Sequence, residues 1–444
     1  MCAPTPRGRR PRRAPRGAAE GDPASRYYKG LSLSHPSIAA LRHRNFRLLW
    51  LGLLFSFTGS FMQNAALLWH VALLAPGSKG LALGGVGLSK VIPIVVFSLV
   101  SGVVADAWDR RRVMLITQTG SACVAVALAV LTWQGLTALW PIYLLAALGA
   151  AFNAFDLPAR QSLVPVLVPR KDLPNAISLN MIMLQTASMT GPAVGGLVIA
   201  ATGLTSVYAA NAVTYGCVIA ALLLMRDVPP QGTATGREHV SWKAASEGFR
   251  FVFTNPLIRS TMLVDFFATL FSPAVALLPI FAQDILHVGP RGYGWLYAAP
   301  AVGATVMSAG MVVLTSRIVH RGRVLLGAVM VYGAANFCFG LSRHFWLTFA
   351  CLATAGAADS VSAIIRNIVR QLETPDHLRG RMTGINMAFF QGGPQMGEVQ
   401  AGATANWLGA PAAVLIGASS CLLATGWVAA ATPVLRRHRA TEVG

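Results

Sequence analysis

Residues 173–225 read LPNAISLNMIMLQTASMTGPAVGGLVIAATGLTSVYAANAVTYGCVIAALLLM, and they indicate the fold class because none of them is charged. A bilayer core of about 30 Å is crossed by about 20 helical residues. The stretch is therefore long enough for two membrane-spanning helices. Thr202-Gly203 is predicted as the turn between them.

The composition of the whole chain agrees with a membrane protein. Of 444 residues, 54% are hydrophobic and 12% are charged, whereas soluble domains carry about 25% charged residues. This excludes a soluble multidomain enzyme, and the hydrophobicity excludes a disordered chain. No His-Glu-x-x-His, Walker A or Gly-x-Ser-x-Gly motif is present in the sequence, so we predict no catalytic residue, no metal site and no enzyme activity.

Apolar stretches of spanning length follow one another along the chain. In the first half they are Leu48–Ser78, Leu81–Ala105, Val113–Phe155 (two helices with a turn at 133–140) and the two helices of residues 173–225. In the second half they are residues 258–284, 292–314, 323–341, 346–370, 382–403 and 410–433. The predicted fold class is all-α, a polytopic membrane protein with twelve transmembrane helices in two six-helix bundles.

Basic residues set the predicted orientation. Lys and Arg number 36 against 16 Asp and Glu, a formal net charge of +20. They cluster at one set of helix ends, which is the asymmetry of cytoplasmic segments and not a sign of nucleic-acid binding. With a cytoplasmic N-terminus, the outer segments hold only Lys79, Arg291 and Arg343. Both termini are therefore predicted to be cytoplasmic.

Five regions are predicted from these patterns. They are a disordered basic cytoplasmic tail (1–41), an N-terminal six-helix bundle (42–226), a cytoplasmic linker with an amphipathic helix (227–256), a C-terminal six-helix bundle (257–435) and a second tail (436–444). Trp242, Ala245, Phe249 and Val252 fall at helical spacing in the linker, which favours a helix on the membrane surface. An extension of the seventh spanning helix is the alternative.

Two anchors indicate an internal repeat. Gly191-Pro192-Ala-Val-Gly195 recurs as Gly393-Pro394-Gln-Met-Gly397. Gly102 followed by Arg110-Arg111-Arg112 recurs as Gly310 followed by Arg321-Gly322-Arg323. Each anchor relates a helix to the one six positions later, so the chain is predicted to have two homologous halves.

Several motifs resemble those of the major facilitator superfamily. Gly102-Val-Val-Ala-Asp106-Ala-Trp-Asp109-Arg110-Arg111-Arg112 resembles its loop 2–3 motif. Gly191-Pro192-Ala-Val-Gly195-Gly196 resembles the fifth-helix motif of its antiporters. Phe155–Gln161 and Thr374–Arg381 are similar to the branch of the enterobactin exporter and the macrolide efflux proteins.

The resemblance extends from about Arg42 to Leu435. It implies export of a small siderophore-like or drug-like molecule by proton antiport and alternating access, in the bacterial inner membrane. The implied partners are the small-molecule substrate and the lipid bilayer, with a monomeric protein, no nucleic acid, and a proton gradient in place of a cofactor. A solute importer or uniporter of the same fold, and a non-transporting membrane scaffold or sensor, stay open as alternatives.

The chain departs from these patterns at several positions. Ala107 and Asp109 replace the Arg and Gly of the loop motif, and Ser178 and Ala187 replace glycines usual before the fifth-helix motif. The fourth helix, predicted over Tyr143 to Phe155, contains no Arg, although many drug–proton antiporters have one there.

Ionisable residues within membrane spans are functional candidates because an unpaired charge there is costly. We predict proton coupling at Asp359, Glu398 and Asp265; the alternatives are binding of a cationic substrate or a fixed Asp359–Arg366 ion pair. The predicted gating residues are Gly102, Asp106, Arg110, Arg111 and Arg381, although the arginines can also act only as topology signals. Helix bending and close packing are expected at Gly191, Pro192, Gly195 and Gly196. The candidate substrate-binding residues are Gln63, Asn64, Asn153, Gln185, Arg366, Asn386 and Gln391.

Overall fold

A computed structural model describes residues 39–226, 250–271, 274–315, 318–375 and 379–437. These residues form helices and no strand. The long helices, named α1 to α12 in chain order, are Arg44–Leu74, Lys79–Ala107, Arg110–Trp133, Trp140–Leu167, Leu173–Thr202, Leu204–Leu224, Pro256–Phe271, Gly289–Leu314, Arg321–Leu341, Phe345–Glu373, Arg379–Leu408 and Ala410–Ala431. Short 3₁₀, α and π segments between Ala274 and Ile285 extend the α7 span.

Eleven of the described helices are long and apolar enough to cross a membrane. The remaining long helix, α11, has 30 residues and packs along α2. The fold class is thus the predicted all-α polytopic one, and both long apolar stretches, 113–155 and 173–225, are divided into two helices as expected. Gly203, with φ of 89°, forms the turn between α5 and α6. Gly409, with φ of 85°, occupies the matching turn between α11 and α12, and such positive φ angles favour glycine.

Side-chain caps fix the start of two helices. The carboxylate of Asp109 accepts hydrogen bonds from the backbone N–H groups of Arg111 (2.9 Å) and Arg112 (3.4 Å), which makes it the N-cap of α3. This cap accounts for an aspartate where the loop motif has glycine. Asn255 similarly accepts from the backbone of Leu257 and Ile258 at the start of α7. The predicted linker helix around Trp242 lies outside the described residues.

The expected extent of the fourth helix is wrong. Helix α4 runs from Trp140 to Leu167 and passes through Pro158 and Pro165. Arg160 therefore lies inside a membrane helix, and the prediction that this helix contains no Arg is incorrect. Prolines are tolerated in membrane helices when neighbouring groups satisfy the freed backbone, and the charge of Arg160 is paired within the bundle with Asp156.

The packing of the helices repeats in the two halves. In the first half, α1 contacts α5 and α6, α2 contacts α4, and α3 contacts α4 and α6. In the second half, α7 contacts α11 and α12, α8 contacts α10, and α9 contacts α10 and α12. The halves meet where α2 packs on α11 and where α5 packs on α8. These two contacts are equivalents of each other, so the arrangement confirms the repeat.

The two ends of the bundle differ in their apolar cores. We call the end where α1 finishes and α2 begins the shared end, and the opposite end, where α1 begins, the tail end. Near the shared end, one core combines both halves and includes Met62, Trp69, Tyr208, Phe281 and Tyr293. Towards the tail end, the core around Phe46 and Met114 belongs to the first half, and the core around Leu325 and Val369 to the second. Apolar packing therefore joins the halves at the shared end.

Candidate functional site

Four polar side chains from both halves meet on the tail-end side of the shared core. The ammonium group of Lys90 on α2 donates a hydrogen bond to Oδ1 of Asn64 on α1 at 2.6 Å. The Asn64 amide donates to the hydroxyl of Tyr297 on α8 at 3.3 Å. Glu398 on α11 lies close enough for its charge to act on Lys90 and on Tyr297. We call Asn64, Lys90, Tyr297 and Glu398 the central cluster.

The central cluster lies near the middle of the membrane. Lys90 is about 16 Å along α2 from its first residue, and Glu398 about 15 Å along α11 from its last residue, taking about 1.5 Å per residue. A Cβ atom at Gly87 would lie only 2.7 Å from Cβ and 3.2 Å from Oε2 of Glu398. Glycine thus allows α11 to bring this carboxylate against α2, one turn from Lys90. Oε2 is buried and has no hydrogen-bond partner among the described groups.

The repeat is broken at Glu398. In α5, the residue after Gly195 is Gly196, which touches α8 at Gly294. In α11, the residue after the matching Gly397 is Glu398, which touches α2 at Gly87. The two contacts between the halves are therefore alike in position and different in chemistry, because only the α2–α11 contact contains an acid.

Three further interactions join the halves at the shared end. The hydroxyl of Tyr293 donates to the backbone oxygen of Ala65 at 2.8 Å, and its ring packs on Trp69 with centroids 4.9 Å apart. Nζ of Lys79 lies 2.6 and 2.8 Å from the two carboxylate oxygens of Asp284. Together with the shared core, these contacts close this end of the interface.

A second charged group lies within the C-terminal half. Arg366 on α10 is 7% exposed and pairs with Asp265 on α7. Its Nη2 atom also lies 3.7 Å from a carboxylate oxygen of Asp359, whose side chain is 56% exposed. Two of the predicted proton-coupling residues, Asp265 and Asp359, are thus brought together on one arginine. The third, Glu398, belongs to the central cluster.

The N-terminal half contains a third charged group, on α4. Asp156 is buried and accepts hydrogen bonds from Thr117 (3.1 Å) and Gln118 (2.8 Å) of α3. Nε of Arg160 lies 3.8 Å from the other carboxylate oxygen, and its guanidinium stacks 4.3 Å from the ring centroid of Phe57. These contacts hold Asp156 against α3 and keep its side chain buried.

The predicted gating residues are described only in part. For Gly102, Asp106 and Arg381 the structure describes the helical backbone alone. Arg110 donates to the backbone oxygen of Ser162 on α4, and Arg111 to that of Leu223 on α6. Both arginines therefore bind backbone oxygens of their own half at the tail end.

The glycines of the fifth-helix motif allow neighbouring helices to pack closely. A Cβ atom at Gly191 would lie 2.6 Å from the backbone oxygen of Thr58, and one at Gly195 would lie 2.8 Å from the Met62 side chain, so both face α1. Gly196 and the backbone oxygen of Pro192 face Gly294 of α8. The motif thus packs α5 against its own half and against the other half.

The predicted substrate-binding residues are spread through the bundle. Gln63 accepts a hydrogen bond from Asn211 at 2.8 Å within the first half. Asn153 is exposed on α4, while Gln185 on α5 and Asn386 on α11 are half-buried. The side chain of Gln391 lies outside the described residues. Of the seven candidates, Asn64 is brought into the central cluster and Arg366 into the C-terminal charged group.

Sequence reasoning missed Lys90 and Tyr297. Lys90 had a signal, since it is a charged residue in the middle of an apolar span. Tyr297 is one turn after Gly294, as Lys90 is one turn after Gly87, so the repeat provided a signal for it. Asp156 lies within the motif Phe155–Gln161, and the early end assigned to the fourth helix concealed its position in the membrane. In the described ranges, no group of three His, Cys, Asp or Glu side chains is placed to hold a metal ion.

Known proteins resemble this chain in sequence and in fold. Residues 35–442 match the family model described as transmembrane secretion effector. The multidrug efflux pump Tap of Mycobacterium tuberculosis is 30% identical over 85% of this chain and 91% of its own length. The Shigella boydii enterobactin exporter EntS is 28% identical over 65% of this chain and 68% of its own.

Solved structures share the fold at low sequence identity. A bacterial homologue of the iron transporter ferroportin aligns with a TM-score of 0.66 at 16% identity, covering 87% of this chain and 98% of that one. The nucleoside transporter NupG aligns with a TM-score of 0.66 at 16% identity, covering 86% and 98%. The repeat, the helix packing and the family match lead to one conclusion: this chain belongs to the transmembrane secretion effector family of major facilitator superfamily transporters.

Proposed function

We propose that this protein is a secondary active exporter that moves a small amphipathic molecule out of the bacterial cell in exchange for protons. Similarity to a multidrug efflux pump and to an enterobactin exporter supports export of a siderophore-like or drug-like compound. The two halves, joined by apolar packing at the shared end, support an alternating-access mechanism in which that end opens when the halves rock apart.

The central cluster is the observation that carries the proton-antiport proposal. Glu398 belongs to one half and Lys90 to the other, so their attraction holds α2 against α11 when the carboxylate is ionised. A proton on Glu398 removes that attraction. Oε2 of Glu398 has no hydrogen-bond partner among the described groups, so protonation of this oxygen would not break an existing hydrogen bond. Binding of a proton is thereby linked to the contact between the halves.

The cycle follows from this linkage. With the shared end closed, Glu398 is ionised and paired with Lys90 while substrate enters from the tail end. Opening of the shared end separates α2 from α11, exposes Glu398 to the other compartment and lets it take up a proton as substrate leaves. The proton returns with closure and is released at the tail end. One proton moving down 100 mV provides about 2.3 kcal/mol.

The proposed orientation places the tail end in the cytoplasm of the bacterial inner membrane. The arginine-rich segments at that end support it, since basic residues favour the cytoplasmic side. We propose that the protein acts as a monomer and that Asp106 takes part in gating at the tail end, where an acidic residue gains nothing from the positive-inside rule.

Uptake into everted inner-membrane vesicles tests the proposal. Energised vesicles containing the protein should accumulate at least one of two amphipathic probes, cationic ethidium and neutral N-phenyl-1-naphthylamine, and a protonophore should abolish accumulation. Glu398→Gln should also abolish accumulation while preserving exchange of labelled for unlabelled substrate, since that exchange needs no net proton movement. Asp172→Asn, which removes a tail-end carboxylate paired with His43, is the matched control and should behave as wild type.

Two outcomes would overturn parts of this proposal. Accumulation by Glu398→Gln at the wild-type rate would remove Glu398 from proton coupling. Energised accumulation in right-side-out vesicles, with none in everted ones, would make the protein an importer.

A further inference from the structure

Asp359 is the less tightly paired of the two carboxylates in the C-terminal charged group. Arg366 provides one positive charge for two carboxylates, and Asp265 is its closer partner. Arg370, the next cation along α10, lies about 16 Å from Asp359 towards the tail end, taking about 1.5 Å per residue. Arg370 is, however, close enough to Asp265 for their charges to interact. Asp265 therefore has two cations nearby, whereas Asp359 has only its 3.7 Å contact with Arg366.

Asp359 faces away from the surface that α10 presents to lipid. The exposed residues near the start of α10 are apolar or weakly polar, and they include Trp346, Ala350 and Thr354. Asp359 follows Ala350 by about two and a half helical turns, which places it on the opposite side of the helix. A charged, exposed carboxylate on the side opposite the lipid-facing residues is expected to line a water-filled cavity.

The first half shows what a structural carboxylate at the equivalent place looks like. Asp156 on α4 precedes its Gly-Pro motif by nearly the same number of residues as Asp359 precedes the repeated motif. It is 8% exposed and accepts two hydrogen bonds from α3. Asp359 has the opposite character, because more than half of its side chain is exposed. Of these two equivalent carboxylates, Asp156 is therefore bonded within the fold and Asp359 is available to a ligand.

An independent observation points to a ligand beside Asp359. The hydroxyl of Ser362, a residue only 1% exposed, has no hydrogen-bond partner among the described groups. Ser362 lies one helical turn from Asp359 and one turn from Arg366, on the side of α10 that carries both. A buried hydroxyl is normally hydrogen-bonded, so an unpartnered hydroxyl beside a loosely paired carboxylate indicates a site with unused binding capacity.

We propose that Asp359, with Ser362 beside it, binds the positively charged group of the transported substrate, and that the substrate is an amphipathic organic cation. This inference rests on the proposed function and narrows its substrate class. Arg366 and Asp265 hold the site in place, and the carboxylate of Asp359 exchanges its long contact with Arg366 for the ligand. Glu398, on another helix, carries the proton.

Equilibrium binding to the purified protein, without any gradient, tests this directly. The probes are radiolabelled tetraphenylphosphonium, a permanent cation, and triphenylphosphine oxide, a neutral compound with similar aryl groups. Asp359→Asn should weaken tetraphenylphosphonium binding about five- to tenfold, as expected for one partly exposed charge. Binding of the neutral probe should not change. Asn367→Ala, an exposed polar residue on a different side of α10, is the control and should leave both affinities as in wild type.

The proposal is overturned if Asp359→Asn binds tetraphenylphosphonium as wild type does, or if it loses affinity equally for both probes. If that variant does not fold, the wild-type protein still tests the proposal, because equal affinity of the wild type for the cationic and neutral probes would also overturn it. Since binding is measured without a proton gradient, these outcomes are independent of the uptake assay on Glu398→Gln. Failure of proton antiport and failure of cation recognition are therefore distinguishable.

Discussion

Adding one methyl group at Gly294 should shift the protein towards the state in which the shared end is open. A Cβ atom there would lie 2.6 Å from the backbone oxygen of Pro192 and 2.9 Å from Cα of Gly196. These are backbone atoms of α5, so they cannot rotate away as a side chain can. Overpacking of this kind costs about 1–3 kcal/mol, and separation of α5 from α8 relieves it. The ratio of open to closed shared end should therefore rise about five- to 150-fold.

The measurement is the distance between spin labels at Thr202 and Trp346, which are exposed at the shared ends of α5 and α10. Gly294→Ala should move the distribution to longer distances. Gly310→Ala is the matched control, because the same methyl group on the same helix meets no atom within 4 Å. A Gly294→Ala distribution identical to that of Gly310→Ala would refute the reasoning.

The remaining predictions concern the charged pairs. Reversing either charge of the Lys79–Asp284 pair should lower the transport rate, because the pair joins the halves with its atoms less than 3 Å apart. The double variant Lys79→Asp/Asp284→Lys should restore that rate. Because the pair is partly exposed, the coupling energy calculated from initial uptake rates should be at most about 1 kcal/mol. Arg366→Ala should lower the free energy of unfolding by about 3–5 kcal/mol because it leaves Asp265 unpaired, and adding Asp265→Asn should recover part of this loss. Thermal unfolding in detergent measures it, and a single variant as stable as the wild-type protein would show that the pair is not structural.

The membrane spans and the repeat could be predicted because they depend on local sequence. Charge-free stretches such as residues 173–225 determine where helices cross the bilayer. Gly203 marks a turn through its own backbone preference. The Gly-Pro motif recurs with the same packing role, because Gly191 and Gly195 pack against α1 and Gly393 and Gly397 pack against α7.

The pairing of charges could not be predicted because it depends on how each helix is rotated. The sequence placed Asp359 and Arg366 on one helical face, but the closer partner of Arg366 comes from α7. Lys90 and Glu398 are more than 300 residues apart, and no local pattern joins them. For Arg160, the error had another origin. A charged residue after Pro158 resembles the end of a helix, but this helix continues to Leu167 and pairs Arg160 with Asp156.

The difference between Gly196 and Glu398 has a consequence for inhibitors. Duplicated halves meet at two close helix interfaces, one between α5 and α8 and one between α2 and α11, and a wedge-shaped blocker would have to separate one of them. A blocker lodged against Gly196 meets only small, uncharged surface, so its potency should be indifferent to acidity. One lodged against Glu398 would meet the carboxylate that we propose carries the proton, and its potency should then vary with external pH. The pH profile of inhibition would thus identify which interface the blocker occupies.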